Sequence, residues 1–135
     1  MNDGNNRKFD LEDRLIEFGA VIIDVTESVV STRAGNYIAG QIVRSGTSPA
    51  LHYGEAQSAE SRNDFIHKLK VLLKELRETN AALKLIKSAK LSPRIELVEK
   101  CLTEVNELIS IFMKSVETAR KNNQPKPKTK ENSKE

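Results

Sequence analysis

The chain has 135 residues, of which 38% are hydrophobic and 30% are charged, and this balance indicates one globular domain rather than two domains or a disordered chain. No apolar run is long enough to span a membrane, and the first residues, MNDGNNRKFD, lack the apolar core of a signal peptide. We therefore expect a cytoplasmic protein, and the single cysteine, Cys101, fits a reducing compartment.

The positive charge is concentrated at the carboxyl end. The net charge is +3, yet the residues from Arg120 onward contain six basic and two acidic side chains. The preceding part of the chain is therefore close to neutral, with a balance of −1. A basic tail of this kind favours nucleic acid as a partner, whereas the main domain gives no such bias.

The first predicted helix follows Asp10, whose carboxylate can accept hydrogen bonds from free backbone N–H groups. Its apolar residues recur at steps of three and four, the spacing of one helical face. They are Leu11, Leu15, Phe18, Ile22, Val25 and Val29. We expect this helix to end near STRAGN, because Gly35 and Asn36 favour a turn.

The second predicted helix begins near Asn36 or Tyr37 and contains the segment RSGTSPALHYGEA, residues 44–56. Pro49 lies inside it, and a proline removes one helical hydrogen bond and crowds the preceding turn. We expect a kink or a break there, with the hydroxyls of Ser45, Thr47 and Ser48 satisfying the loosened backbone groups.

Clear starting signals precede the last two helices. Ser61 with Asp64 resembles a capping box at the start of the third helix. Ser92 is the expected cap of the fourth helix, with Pro93 at its first position. Apolar residues follow at helical spacing in both: Phe65, Leu69, Leu72, Leu76 and Leu83, then Ile95, Val98, Leu102, Val105, Ile109, Phe112 and Val116.

These patterns predict an all-α fold, an antiparallel up-and-down four-helix bundle with a kinked second helix. The bundle is expected to cover residues 10–119, after a flexible segment of residues 1–9. The remaining segment, RKNNQPKPKTKENSKE, has no aliphatic residue and predicts a disordered basic tail, residues 120–135.

The fourth and first helices carry a second apolar line that an isolated bundle does not obviously need. It predicts that copies of the chain contact one another through these residues, because large exposed apolar patches usually mark contacts. The predicted interface residues are Leu97, Cys101, Leu108 and Ile111 on the fourth helix and Ile16 and Ile23 on the first.

Residues 41–79 resemble a known family. The matching positions are Gln41, Arg44, Ser45, Ser48, Glu55, Ala56, Ser61, Asp64, Phe65, Ile66, Leu69 and Glu75. The pattern is similar to that of bacterial four-helix bundle proteins encoded by intervening sequences within 23S rRNA genes. The resemblance extends over about residues 8–119, with Pro49 and His52 departing from the pattern.

This resemblance implies a small four-helix bundle that assembles with itself into a ring, with a pentamer as the expected form. It also implies an association with ribosomal RNA, which rests on gene location. No enzymatic activity, cofactor or small-molecule substrate is implied.

The residues of the segment 44–56 raise the question of catalysis. Ser45, Ser48, His52 and Glu55 offer hydroxyls, an imidazole and a carboxylate, but no glycine-rich elbow precedes either serine and one helical turn provides no pocket. We therefore assign no catalytic residue and interpret the small residues as helix-packing positions. His52 and His67 do not form a ligand set for a metal, so no metal or cofactor is expected.

A phosphate-binding surface is the functional hypothesis that has the most support in the sequence, because phosphate contacts need only positive charge held in an array. The candidate residues are Lys68, Lys70, Lys74, Arg77, Lys84 and Lys87 on the third helix and Arg120 and Lys121 after the fourth. RNA or DNA is the implied partner. The alternative is a structural or protein-interaction module in which these charges are merely solvated.

Arg44 has a structural interpretation. An arginine among small residues can bridge to a carboxylate on a neighbouring helix and fix the register between the two helices. Glu55, Glu75 and Glu78 are its candidate partners.

Overall fold

A computed structural model describes residues 10–123, and the flexible segment predicted for residues 1–9 lies outside this range. The described residues form four α-helices: α1 (Leu11–Ser28), α2 (Arg33–Gln57), α3 (Arg62–Ser88) and α4 (Ile95–Asn123). Each helix packs against the next along the chain, and α4 returns to α1 to close the bundle. The predicted all-α four-helix bundle is confirmed.

The core follows the predicted apolar faces. Leu15, Phe18, Ile22 and Val25 of α1 are buried against residues of the other three helices. The fully buried side chains of α3 and α4 include Leu69, Leu72, Leu76, Leu83, Val98, Val105 and Phe112. Burial of these side chains is the main stabilising contribution to the fold.

Helix α1 begins as predicted, with the Asp10 carboxylate accepting a hydrogen bond of 3.0 Å from the Asp13 N–H. The prediction for the start of α2 was wrong by three residues or more. Thr32 caps that helix by accepting from the Gly35 N–H at 3.0 Å, so the helix begins at Arg33 rather than near Asn36. Gly35 fits because a Cβ there would lie 2.1 Å from the Val30 carbonyl oxygen.

Two linkers meet at one end of the bundle. The Val30 N–H, just beyond α1, donates to the Leu91 carbonyl at 2.8 Å, and the Ser28 and Ser92 hydroxyls lie 2.6 Å apart. Val29, expected on the first helix, caps its end in an extended conformation. These contacts join the α1–α2 linker to the α3–α4 linker and hold the two antiparallel pairs together.

Pro49 does not break α2, which continues from Arg33 to Gln57. The Thr47 hydroxyl donates to the Val43 carbonyl and the Ser48 hydroxyl to the Arg44 carbonyl, each at 2.6 Å. These side-chain bonds lie in the turn that precedes the proline, where a proline weakens the backbone pattern. The prediction of a break was therefore wrong.

The start of α3 matches its signal, because the Ser61 hydroxyl accepts from the Asp64 N–H at 3.0 Å. Helix α4 starts later than predicted. The Ser92 hydroxyl accepts from the Arg94 N–H, and the first helical carbonyl is that of Arg94, which accepts from Val98. Pro93 therefore precedes the helix instead of occupying its first position.

Helix α4 also ends later than predicted. It continues to Asn123, so Arg120 and Lys121 are helical residues and the tail cannot begin at residue 120. The rest of the predicted tail, residues 124–135, lies outside the described residues. The longer helix matters because it places these two basic residues beside α3.

Candidate nucleic-acid interface

The polar residues of the segment 44–56 are used in packing. Ser45 is buried, and its hydroxyl lies 2.9 Å from the buried Thr79 hydroxyl on α3. The Ser48 hydroxyl donates to the Arg44 carbonyl in its own helix. Both serines are thus engaged in structural hydrogen bonds, as the packing interpretation requires.

His52 lies beside Glu55, with 3.6 Å between the imidazole Nδ1 and the carboxylate. Glu55 also contacts the Lys68 ammonium group at 3.4 Å. The Lys68 hydrogen bond and charge, followed by His52, lower the pKa of Glu55 below its ordinary value. No cluster of three or more metal-ligating side chains occurs within residues 10–123.

Arg44 bridges α2 to α3 through two of its three expected partners. Its guanidinium contacts Glu75 and Glu78, each at 3.2 Å. The third expected partner, Glu55, pairs with Lys68 instead. The two carboxylates raise the pKa of Arg44, with the hydrogen bond to Glu78 as the largest cause.

Three of the predicted phosphate-binding lysines already have acidic partners. Lys68 pairs with Glu55, and Lys74 lies 3.9 Å from Glu78 in the next turn of α3. Lys87 contacts Glu99 of α4 at 2.7 Å. Their charges are partly neutralised, so these lysines are poor candidates for binding phosphate.

Four of the other five predicted cations line a groove between α3 and α4. The groove has a volume of about 820 Å³. We call it the basic groove; it is lined by Lys70, Leu73, Arg77, Ser110, Met113, Lys114, Val116, Glu117, Arg120 and Lys121. It thus unites the α3 residues Lys70 and Arg77 with the two basic residues near the end of α4. Lys84 lies outside this lining.

The cations of the basic groove form no ion pairs with other residues in the described part of the chain. Five of its lining residues are basic and one, Glu117, is acidic. Lys70, Arg77, Lys114, Arg120 and Lys121 are all exposed. The ion pairs formed within residues 10–123 include none of these five side chains. The groove is therefore a concave surface suited to an anionic ligand.

Lys114 was missed in the sequence, where it stands alone among apolar and small residues of the last helix. It joins the basic groove because antiparallel packing sets the end of α4 beside the start of α3. The Lys87–Glu99 pair shows this register at the opposite end of the two helices. Counting residues along the two antiparallel helices from the Lys87–Glu99 pair places Lys114 near Lys70.

The predicted self-association interface on α4 requires a correction. Cys101 and Leu108 are 1% and 0% exposed inside the protomer, so they belong to its own core. Leu97 and Ile111 are partly buried and pack against that core. Helix α4 contacts both α1 and α3, and two neighbours bury a wider apolar face than a single stripe.

On α1, in contrast to α4, the predicted interface residues are exposed. Ile16 is 52% exposed and Ile23 is 45% exposed, and Ala20 between them is exposed as well. We call these three residues the α1 outer face. Two turns of helix separate the isoleucines, so the face forms a continuous apolar line on the surface.

A smaller cleft separates α1 from α4. Its volume is about 440 Å³, and Phe18, Val21 and Cys101 contribute apolar lining. Burial raises the pKa of the Cys101 thiol to about 11. At one edge of the cleft, Arg14 of α1 forms ion pairs with two residues of α4, Glu104 at 2.7 Å and Glu107 at 2.6 Å. These ion pairs connect the two helices.

Comparisons with known proteins place the chain in a family. No family profile matches the chain, and no curated protein matches it. It is similar to a crystal structure, at 1.70 Å resolution, of a protein from Bacteroides thetaiotaomicron VPI-5482, with 31% sequence identity and a TM-score of 0.71. The match covers 78% of this chain and 96% of that one. This chain belongs to the S23 ribosomal protein family.

The Bacteroides member of the S23 ribosomal protein family is described as a protein of unknown function. Family membership thus supports the four-helix bundle without supplying an activity. Within residues 10–123, no helix is long and apolar enough to cross a membrane.

Proposed function

We propose that this protein is a non-enzymatic accessory or scaffold protein that binds the phosphate backbone of nucleic acid in the basic groove. The supporting observation is the convergence of five exposed cations, from two helices, on one concave surface. A phosphate backbone needs positive charge held in a fixed array and no base-specific group.

Ribosomal RNA is the partner that the resemblance to proteins encoded within 23S rRNA genes suggests. The family name of the Bacteroides relative also refers to the ribosome. Binding of ribosomal RNA would place the protein in the cytoplasm. The contacts themselves require only phosphate, so DNA is included in the proposal until the two are compared.

A second function is favoured by the α1 outer face. Exposed isoleucines two turns apart form a surface that a second copy can cover. We propose that copies of the chain assemble through this face, with the ring of five that the resemblance implies. If the protein has a structural or protein-interaction role without nucleic acid, that role requires the α1 outer face and does not require the basic groove.

Charge reversal tests the nucleic-acid proposal. Replacing Lys70 and Lys114 by glutamate places one reversed charge on each wall of the basic groove. We expect this double variant to weaken RNA binding at low salt by about ten-fold or more, because phosphate contacts are lost and repulsion replaces them. Fluorescence anisotropy with a labelled RNA measures the change.

The matched control replaces Lys84 and Lys100 by glutamate. These two lysines are exposed, lie on the same two helices and are outside the basic groove. The control should bind RNA within about two-fold of the native protein, apart from the general effect of net charge. Equal loss of binding in both double variants would show that only net charge matters and would contradict the proposed site.

A further inference from the structure

We propose that the basic groove selects a single strand of nucleic acid over a duplex. This inference rests on the proposed function and specifies its substrate. It follows from three features of the groove: cations on both walls, an apolar floor between them, and the width of a gap between two packed helices.

The cations lie on both walls. Lys70 and Arg77 are one heptad apart on α3, and Lys114 and Lys121 are one heptad apart on α4. Seven residues of helix correspond to a rise of about 10 Å. A strand that follows the groove therefore meets cations from two sides at intervals, so several phosphates of one strand can be contacted along one path.

The floor is apolar. Leu73 and Met113 lie between the charged walls with the buried Val116, and Met113 is 48% exposed. Phosphate contacts make no use of an apolar floor. Sugars and base faces do, and in a single strand these surfaces are free, whereas a duplex keeps its bases stacked and paired inside.

The width of the groove favours one strand. Packed helices have axes about 8–10 Å apart, so the groove between them is narrower than the major groove of B-DNA, which is about 12 Å wide, and much narrower than a whole duplex. A duplex would rest on the rims and leave Met113 uncontacted. A single strand can enter and bring its backbone between the two walls.

The lining also predicts how the strand is bound. The described lining contains no aromatic side chain, and Tyr53 packs edge-on against Phe112 with 5.8 Å between ring centroids. Base stacking on an aromatic platform is therefore not available in the groove. We expect binding that tolerates any base sequence, with affinity from phosphate contacts and a smaller contribution from the floor.

The test compares a labelled uridine oligomer of about twelve nucleotides with an RNA duplex of the same length, using the full chain. We expect the strand to bind about ten-fold more tightly than the duplex at equal salt. Met113→Ala should weaken strand binding several-fold, leave its salt dependence unchanged and leave duplex binding unchanged. The control is Leu51→Ala, which truncates an exposed side chain on α2 and should change neither.

The outcomes separate this inference from the proposed function. Equal binding of strand and duplex, or preference for the duplex, would overturn the strand inference and leave phosphate binding intact. An oligoglutamate peptide that competes as well as a strand of equal charge would also overturn it, because the groove would then respond to charge alone. Absence of binding to either RNA would overturn both proposals.

Discussion

Thr79 and Ser45 form a buried polar contact between α2 and α3, where both residues are at most 2% exposed. The Thr79 hydroxyl lies 2.8 Å from the Glu75 carbonyl and 2.9 Å from the Ser45 hydroxyl. A hydroxyl has one hydrogen, so Thr79 donates to the carbonyl and accepts from Ser45. Both hydroxyl hydrogens then have an acceptor, the Glu75 carbonyl for Thr79 and the Thr79 oxygen for Ser45, which is why two polar groups are tolerated in this interface.

Replacing Thr79 by valine keeps the shape of the side chain and removes the oxygen that accepts the Ser45 hydrogen bond. The Ser45 hydroxyl would lose its partner in the core, and we expect the free energy of unfolding to fall by about 1–2 kcal/mol. Chemical denaturation measures this change. The double variant Ser45→Ala, Thr79→Val should lose less than the sum of the single variants, since no donor is stranded; a strictly additive loss would contradict the pairing.

Individual site residues differed in how far the sequence could predict them. Arg44 was expected to bridge to a carboxylate of a neighbouring helix because it lies among small residues, and its guanidinium contacts Glu75 and Glu78 of α3. Lys114 was missed because its role depends on the register between α3 and α4. A single helix shows the face on which a residue lies and gives no information on which residue of another helix lies opposite.

Helices α1 and α2 approach closely at two glycines. A Cβ built on Gly46 would lie 2.7 Å from the Ile22 side chain, and one built on Gly19 would lie 3.5 Å from the Gly46 carbonyl oxygen. The small residues of the segment 44–56 therefore allow α2 to lie against α1. This contact positions the buried face of α2 toward the core.

Gly46→Ala should destabilise the protein by about 1–3 kcal/mol, because the added methyl group overlaps Ile22 and the tightly packed interface must shift. Gly40→Ala is the matched control, since a Cβ at Gly40 would meet nothing within 4 Å. We expect the control to gain up to about 1 kcal/mol from helix propensity. Thermal unfolding distinguishes the two, and equal stability of both variants would contradict the close approach.

The helices themselves were largely predictable, since their signals are local. Asp10 and Ser61 cap their helices as the sequence indicated. The predicted start of α2 was wrong because a turn was expected at Gly35 and Asn36. Thr32, a residue type that favours the N-cap position, caps the helix instead. Pro49 was expected to kink or break α2; the break does not occur, and the Thr47 and Ser48 hydroxyls bond to carbonyls in the preceding turn of a continuous helix.

At the scale of the whole molecule, the bundle followed from helical periodicity, but the surface that remains exposed did not. The second apolar line of α4 is enclosed at Cys101 and Leu108 because α4 packs against both α1 and α3. Burial by two neighbours depends on the assembled fold. Of the six predicted interface residues, Ile16 and Ile23 on the α1 outer face are the two that keep large exposed fractions, 52% and 45%.

Self-association through this face is testable by light scattering. We expect the native chain to form an oligomer and the double variant Ile16→Lys, Ile23→Lys to be a folded monomer, because buried lysine charges oppose the contact. Tyr37→Lys with Leu51→Lys is the control, as both residues are highly exposed and lie on α2. A native chain that is a monomer at all concentrations would contradict the assembly.

The central claim is that the phosphate-binding site lies on the folded bundle, in the basic groove. The most direct test is RNA binding at several salt concentrations by a chain that ends at Asn123, the last residue of α4. Five cations allow a slope of log affinity against log salt of at most about −3.5 for a single strand. We predict that weaker but clearly salt-dependent binding survives this truncation, whereas complete loss of binding at low salt would assign the site to residues 124–135 and contradict the account.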